Sequence, residues 1–307
     1  MTETGPVLTR IGLPTGVTLT VQLAGPEDAP VILFLHGFPE SHRTWRALVP
    51  ALAERYRCVA PDQRGFAKSD KPDDVDEYRV DQVLGDLLAL ADALKIGRFT
   101  LVGHDWGGAV AWAAALKHAD RIDRLVILNA PHPYIFQRSL IESEAQRAAS
   151  QYIRFFRNPA AETMILAMGL DSFFEKTFAD QTAGGWLPED ERQAYLEEWS
   201  QPGALTGMLN WYRAAQIEVP APDEKARLPL WTHLPFPHVK VPTLVVWGLR
   251  DKALLPVQLE GLDRLVDDLT VVPVADAGHF LPWEKPEPVL AAIKAFLDNN
   301  RPAIGSA

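Results

Sequence analysis

Short apolar runs alternate with amphipathic stretches along most of the chain. Val31–Leu35, Cys58–Ala60, Thr100–Val102, Leu125–Leu128 and Thr243–Trp247 are short and apolar throughout. Runs of that length without polar alternation read as strands buried on both faces. Between them, Arg43–Tyr56 carries Trp45, Leu48 and Leu52 at helical spacing, and Val80–Leu94 carries Val83, Leu84, Leu87, Leu88, Leu90 and Leu94. Ala109–Lys117 is an Ala-rich helix and Val289–Leu297 a final one. Leu8–Gly12 and Val17–Leu23 read as strands joined by a turn at Thr15-Gly16, and Thr270–Val274 as a late strand. This alternation predicts an α/β protein with a mostly parallel sheet covered by helices on both faces.

The rhythm breaks from about Pro131 to Pro235. That interval is helical in pattern, rich in aromatics and interrupted by Pro and Gly clusters. It reads as a helical cap (131–235) inserted into a sheet domain formed by 1–130 and 236–307. Most of its aromatics (Tyr152, Phe155, Phe156, Phe173, Phe174, Trp186, Tyr195, Trp199, Trp211 and Tyr212) are expected to form the cap's own core.

Composition narrows the partners. A net charge of −10 over 307 residues, with no basic block, argues against nucleic acid or an anionic membrane. The single cysteine, Cys58, lies in an apolar run and reads as a buried, inert thiol. The segment MTETGPVLTR lacks the features of a secretory signal, and no apolar stretch reaches the length of a membrane span. A cytoplasmic, soluble protein is expected. The histidines show no metal-binding spacing and no dinucleotide or phosphate loop is present, so no cofactor and no metal are expected.

The chemistry concentrates in Gly103-His104-Asp105-Trp106-Gly107-Gly108, directly after an apolar strand. Small residues flanking a central nucleophile mark a strand-to-helix elbow. Its centre is an aspartate, where an esterase carries serine. A carboxylate is ionised at neutral pH and needs no base to activate it. On an ester it would form only a labile anhydride, whereas on a saturated carbon bearing a leaving group it forms an alkyl ester that water can cleave. Asp105 therefore suggests hydrolysis of an epoxide or an alkyl halide.

An elbow needs a base, an acid to orient the base, and an oxyanion hole. His279 follows the last strand in Ala277-Gly278-His279-Phe280 and is the candidate base. Asp251 follows the strand Thr243–Trp247 and is the candidate orienting acid. The backbone N–H groups of Phe38 and Trp106 are the candidate oxyanion donors. Of the remaining histidines, His36 and His104 read as scaffold and the others as surface.

These segments resemble the α/β-hydrolase superfamily, and closely its epoxide hydrolase branch. The resemblance rests on His36-Gly37-Phe38-Pro39-Glu40-Ser41, on Asp62 to Asp70 and on the elbow, and covers roughly Val31 to Phe296. It implies the α/β-hydrolase fold and two cap tyrosines that hydrogen-bond the epoxide oxygen. Tyr152, six residues before Asn158-Pro159, and Tyr212, in Leu209-Asn210-Trp211-Tyr212-Arg213, match their motifs. The implied substrate is a small apolar epoxide, and the reading leaves room for a homodimer. The elbow is shared with haloalkane and haloacetate dehalogenases, which are the alternative. Phe38 offers no side-chain donor for a halide, and no arginine follows Asp105 to hold a haloacid. A non-catalytic ligand-binding relative is the third reading, since fold does not dictate function.

Overall fold

The computed structural model describes residues 5–299. The first four residues, part of the segment read above for a targeting signal, lie outside it. Eight strands form one sheet: β1 Val7–Gly12, β2 Thr18–Ala24, β3 Val31–Leu35, β4 Arg57–Pro61, β5 Phe99–His104, β6 Ile122–Leu128, β7 Thr243–Gly248 and β8 Leu269–Val274. Their spatial order is β1-β2-β4-β3-β5-β6-β7-β8. β1 and β2 are antiparallel to their neighbours, and every pairing from β4 to β8 is parallel. The chain thus has the expected α/β fold with a mostly parallel sheet.

The two faces of the sheet carry separate cores. On one, Leu33, Leu101, Leu125 and Val245 pack with the helices Val80–Ala93 and Trp106–Lys117. On the other, Ile32, Val102, Val126 and Leu244 pack with Trp45, Leu52 and the final helix Pro286–Asn299. Burial on both faces explains why β5 and β7 are buried at every position and show no polar alternation.

The expected helix over Arg43–Tyr56 is two short pieces, a 3₁₀ turn at His42–Trp45 and an α-turn at Val49–Leu52. Pro50 is the reason. It has no N–H to donate and is tolerated only in a helix's first turn, so a new helix must begin there. Trp45, Leu48 and Leu52 still face the core, as their spacing suggested.

Eight α-helices lie between β6 and β7, from Pro133–Glu142 to Ala204–Ala214. This insertion is fastened to the sheet layer by polar contacts as well as apolar ones. Trp199 Nε1 donates to the Pro39 carbonyl at 2.8 Å and Trp211 Nε1 to the Arg64 carbonyl at 3.0 Å. Arg43 binds Glu191 and Glu198 at 3.0 and 2.9 Å.

Cys58 is buried, and desolvation pushes its thiol up to about 12, which makes it inert. Two histidines depart from the surface reading. His42 is buried, with its ring 2.8 Å from Asp62 on the loop after β4. His132 is fully buried between Trp112 and Phe236, with no protein partner on either ring nitrogen. Desolvation lowers it to about 3, so it is a neutral core residue. Neither environment is visible in a local stretch of sequence, because the partners arrive from distant elements.

Candidate active site

The residues singled out by the sequence meet at the C-terminal ends of adjacent parallel strands, where open α/β sheets build their sites. Phe38 follows β3, Asp105 follows β5, Asp251 follows β7 and His279 follows β8. Asp105 joins β5 to the helix Trp106–Lys117 with φ 50° and ψ −120°. That backbone is sparsely populated and costs about 1–3 kcal/mol, which the surrounding packing must impose. Glycines make room for it. A Cβ on Gly37 would lie 2.3 Å from the Asp105 Cβ, and one on Gly107 would lie 2.0 Å from the Leu35 carbonyl oxygen.

Asp105 Oδ1 accepts the Phe38 N–H at 2.8 Å, and Oδ2 lies 3.5 Å from His279 Nε2. The Trp106 N–H opens the helix that follows Asp105. His279 Nδ1 is 2.8 Å from Asp251 Oδ2. Asp251 is saturated with donors: its Oδ1 accepts the N–H groups of Ala253 and Leu254, each at 2.8 Å, and its Oδ2 also accepts Asn129 Nδ2 at 2.7 Å.

The charges follow from these contacts. Burial opposes ionisation of Asp105, but the hydrogen bond and charge of His279, with smaller help from His104 and the Phe38 N–H, hold its carboxyl below the ordinary value. Asp251 is likewise lowered, with burial outweighed by His279, the Leu254 N–H and Asn129. Burial alone would strip His279 of its proton. Asp251 and Asp105 outweigh it and raise His279 well above a free imidazole.

One support escaped the sequence reading, and a second, His104, fills the scaffold role expected of it. Asn129, at φ 38° just after β6, donates to Asp251 and accepts the Gly248 N–H at 2.8 Å. A polar residue directly after the apolar run Leu125–Leu128 was the available signal. His104 bridges Glu40 and the His279 carbonyl, at 2.8 Å on each side. A carbonyl only accepts, so His104 Nε2 carries a proton and pins the backbone of His279.

A cavity of about 680 Å³ opens above Asp105 and His279. Phe38, Phe155, Phe156, Met168 and Phe173 make most of its wall apolar. Tyr152, on the helix Gln151–Arg157, and Tyr212, on Ala204–Ala214, line it opposite the carboxylate. Their rings are 6.1 Å apart and perpendicular. Neither hydroxyl donates to another group among the described residues. Burial, then the Asp105 charge, raises both phenols well above 10, so both keep their protons. A second cavity of about 100 Å³ shares Asp105, Tyr152 and Tyr212 and extends towards Phe136, Ile217 and Leu254.

Arg157 couples the two tyrosine helices, donating to the carbonyls of Tyr212, Ala215 and Ile217 at 2.7–2.9 Å. Of the ten aromatics expected mostly to fill the insertion's core, seven are in the buried core; three of these, Phe156, Phe173 and Tyr212, also line the larger cavity, with Tyr152 and Phe155 packed beside them. Among the described residues no cluster of His, Cys, Asp or Glu could hold a metal ion, and no helix is long and apolar enough to cross a membrane.

An aspartate elbow, a histidine after the last strand and an acid after the one before it define a hydrolase site on this fold. Residues 30–286 match the family model for the alpha/beta hydrolase fold. The chain belongs to that family. Within it, the chain is similar to named epoxide hydrolases. It is 32% identical over 291 residues to Epoxide hydrolase 3 of Xenopus tropicalis, covering 92% of this chain and 75% of that one. It is 33% identical to the AB hydrolase superfamily protein YfhM of Bacillus subtilis (strain 168), covering 92% and 96%. Among solved structures, one from a set of epoxide hydrolases in metagenomes from hot environments matches with TM-score 0.87 and 48% identity, covering 95% of this chain and 98% of that one. An inhibitor complex of a Bacillus megaterium epoxide hydrolase matches with TM-score 0.84 and 30% identity, covering 94% and 100%.

Proposed function

We propose that this protein hydrolyses epoxides to vicinal diols through an alkyl ester on Asp105. One observation carries the reading: an ionised carboxylate faces two protonated phenols across a single apolar cavity. A carboxylate attacks a strained carbon, and phenols protonate the oxygen that leaves it. The substrate class named for the relatives agrees with that pairing.

In the first step Asp105 Oδ2 attacks an oxirane carbon and the ring C–O bond breaks. The electron pair goes to oxygen, which takes a proton from Tyr152 or Tyr212. The two cavities that meet at Asp105 house substituents on either side of the ring. Esterification removes the Asp105 charge, one of the two carboxylates that keep His279 protonated. His279 then gives its proton back to the tyrosinate and becomes a neutral base.

In the second step His279, oriented by Asp251, takes a proton from water as the water oxygen adds to the ester carbon. The oxyanion forms on Oδ1, where the Phe38 N–H already points, with the Trp106 N–H at the helix start as the second proposed donor. Cleavage of the ester bond releases the diol and restores the Asp105 carboxylate and the protonated His279. In this reading 131–235 acts as a cap over a core domain of 1–130 and 236–307, because it supplies the phenols and most of the apolar wall.

The test is diol formation from styrene oxide, combined with peptide mass analysis of His279→Gln after exposure to the same epoxide. Diol from wild type and an epoxide adduct on the Asp105 peptide of the variant are expected. Diol without the adduct overturns the covalent route. No diol and no adduct, with halide released from a haloacetate, would replace the proposal with the dehalogenase reading.

A further inference from the structure

Asp251 owes its setting to a stretch of chain without regular structure. Its Oδ1 accepts the N–H groups of Ala253 and Leu254, which lie between the end of β7 at Gly248 and the 3₁₀ turn Pro256–Leu259. Irregular backbone keeps one shape only where other groups hold it. Here the holder is Gln146, a fully buried side chain on the insertion helix Glu144–Ala149. Its Nε2 donates to the Ala253 carbonyl at 2.8 Å, and its Oε1 accepts the Leu255 N–H at 2.9 Å. The Ala253 carbonyl and the Leu254 N–H belong to one planar peptide group. That peptide is gripped from both sides, by Gln146 at its oxygen and by Asp251 at its N–H.

The same Nε2 donates to Ser150 Oγ at 2.9 Å. Ser150 is fully buried and immediately precedes the helix Gln151–Arg157, which brings Tyr152 to the cavity. Oε1 also accepts Gln258 Nε2 at 3.0 Å, so both donors and both acceptor positions of the carboxamide are used. Its orientation is fixed by the backbone, because a carbonyl only accepts and an N–H only donates. A buried polar group satisfied in this way enforces one arrangement of its partners. Gln146 lines neither cavity, so it acts through those partners.

We infer that Gln146 is a positioning residue that sets the orienting acid and the first phenol relative to each other: its carboxamide holds the Ala253–Leu254 peptide against Asp251 and the start of the helix that carries Tyr152. This rests on the epoxide hydrolase reading and adds a residue to the same site.

The test compares wild type, Gln146→Met and Ser150→Ala in single-turnover reactions with styrene oxide. Rapid quenching and mass analysis of the Asp105 peptide give the rates of ester formation and decay, and the melting temperature of each protein is recorded. Gln146→Met keeps the length of the side chain and removes all four hydrogen bonds. It should slow formation and decay by about 10- to 100-fold each, as loss of an outer partner does. Ser150→Ala cuts only the arm to the Tyr152 helix. It should slow formation by about 10-fold and leave decay unchanged. A role confined to stability would lower the melting temperature and leave both rates of the folded enzyme at wild-type values, and that result overturns the inference. Slowing of one step alone in Gln146→Met overturns it too. If Gln146→Met does not fold, Ser150→Ala decides: a loss confined to formation supports the inference, and an equal loss on both steps or none overturns it. Absence of both ester and diol in the wild type would instead remove the parent reading and this inference with it.

Discussion

The two walls of the cavity are built on opposite plans. At the sheet edge every proposed reacting group is held by named bonds. Asp251 accepts four hydrogen bonds, the His279 carbonyl is pinned by His104, and Asp105 sits on a strained elbow that only the adjacent glycines accommodate. In the helical insertion Tyr152 and Tyr212 are placed by packing against Phe38, Phe156 and Trp106, and their hydroxyls donate to no group among the described residues. The difference follows from what each wall must do. In the proposed mechanism a base and its orienting acid must keep one geometry throughout the cycle, and a saturated network suits that task. A donor to an incoming oxygen must arrive with its proton uncommitted, so shape rather than hydrogen bonding has to position it.

Breaking the sheet-edge wall should have the larger effect. Asp105→Ala removes the proposed nucleophile and should lower kcat for diol formation by about 10⁴-fold or more. Asp105→Asn should start equally inactive and recover slowly if the side chain deamidates, which intact-mass analysis would follow. His279→Gln should stop turnover after one equivalent, with the alkyl ester accumulating.

On the opposite wall, Tyr152→Phe or Tyr212→Phe should slow ester formation by about 10²-fold, because each leaves one phenol in place. The double variant should lose more than either single one. Single-turnover kinetics separates the walls: the tyrosine variants slow the appearance of the ester, and the histidine variant slows its decay. Equal effects on both steps from Tyr152→Phe would break the contrast.

The pH dependence should divide in the same way. Asp105 lies below the ordinary carboxyl range, so it stays ionised and alkylation should persist as the pH falls. On the proposed route hydrolysis needs neutral His279, which acid keeps protonated. Acidification should therefore make the ester accumulate in the wild-type enzyme, and quenched samples at successive pH values would detect it. The smallest effect is expected from Asn129→Ala, which leaves Asp251 three of its four donors. Loss of an orienting outer partner typically costs about 10-fold or somewhat more, and here it should fall on ester hydrolysis and spare ester formation.

Most of the fold was legible because parallel strands buried on both faces leave an unmistakable apolar signature. β3 matches its expected span and β5 and β7 extend theirs by one to three residues. The nucleophile, acid and histidine candidates were legible because each follows a strand within a short, recognisable segment. Asn129 was missed because a single polar residue after a strand is ambiguous until its partners are known. That Phe155, Phe156 and Phe173 also line the cavity was not legible, because a side chain facing a cavity and one facing a core obey the same helical spacing.

The sequence by itself determined which residue types could react and where along the chain the strands must turn: a carboxylate at an elbow, an imidazole after β8, a proline that interrupts the helix at Val49. Those are properties of local covalent chemistry and backbone preference. The tertiary structure decided what those residues face. Asp105 and His279 are separated by 174 positions and meet at 3.5 Å only because β5 and β8 lie in one parallel sheet. The charge on His279, the burial of His42 and His132 and the uncommitted protons of Tyr152 and Tyr212 are all set by neighbours from distant segments. Electrostatics and desolvation act through space, and only the folded chain brings those segments together.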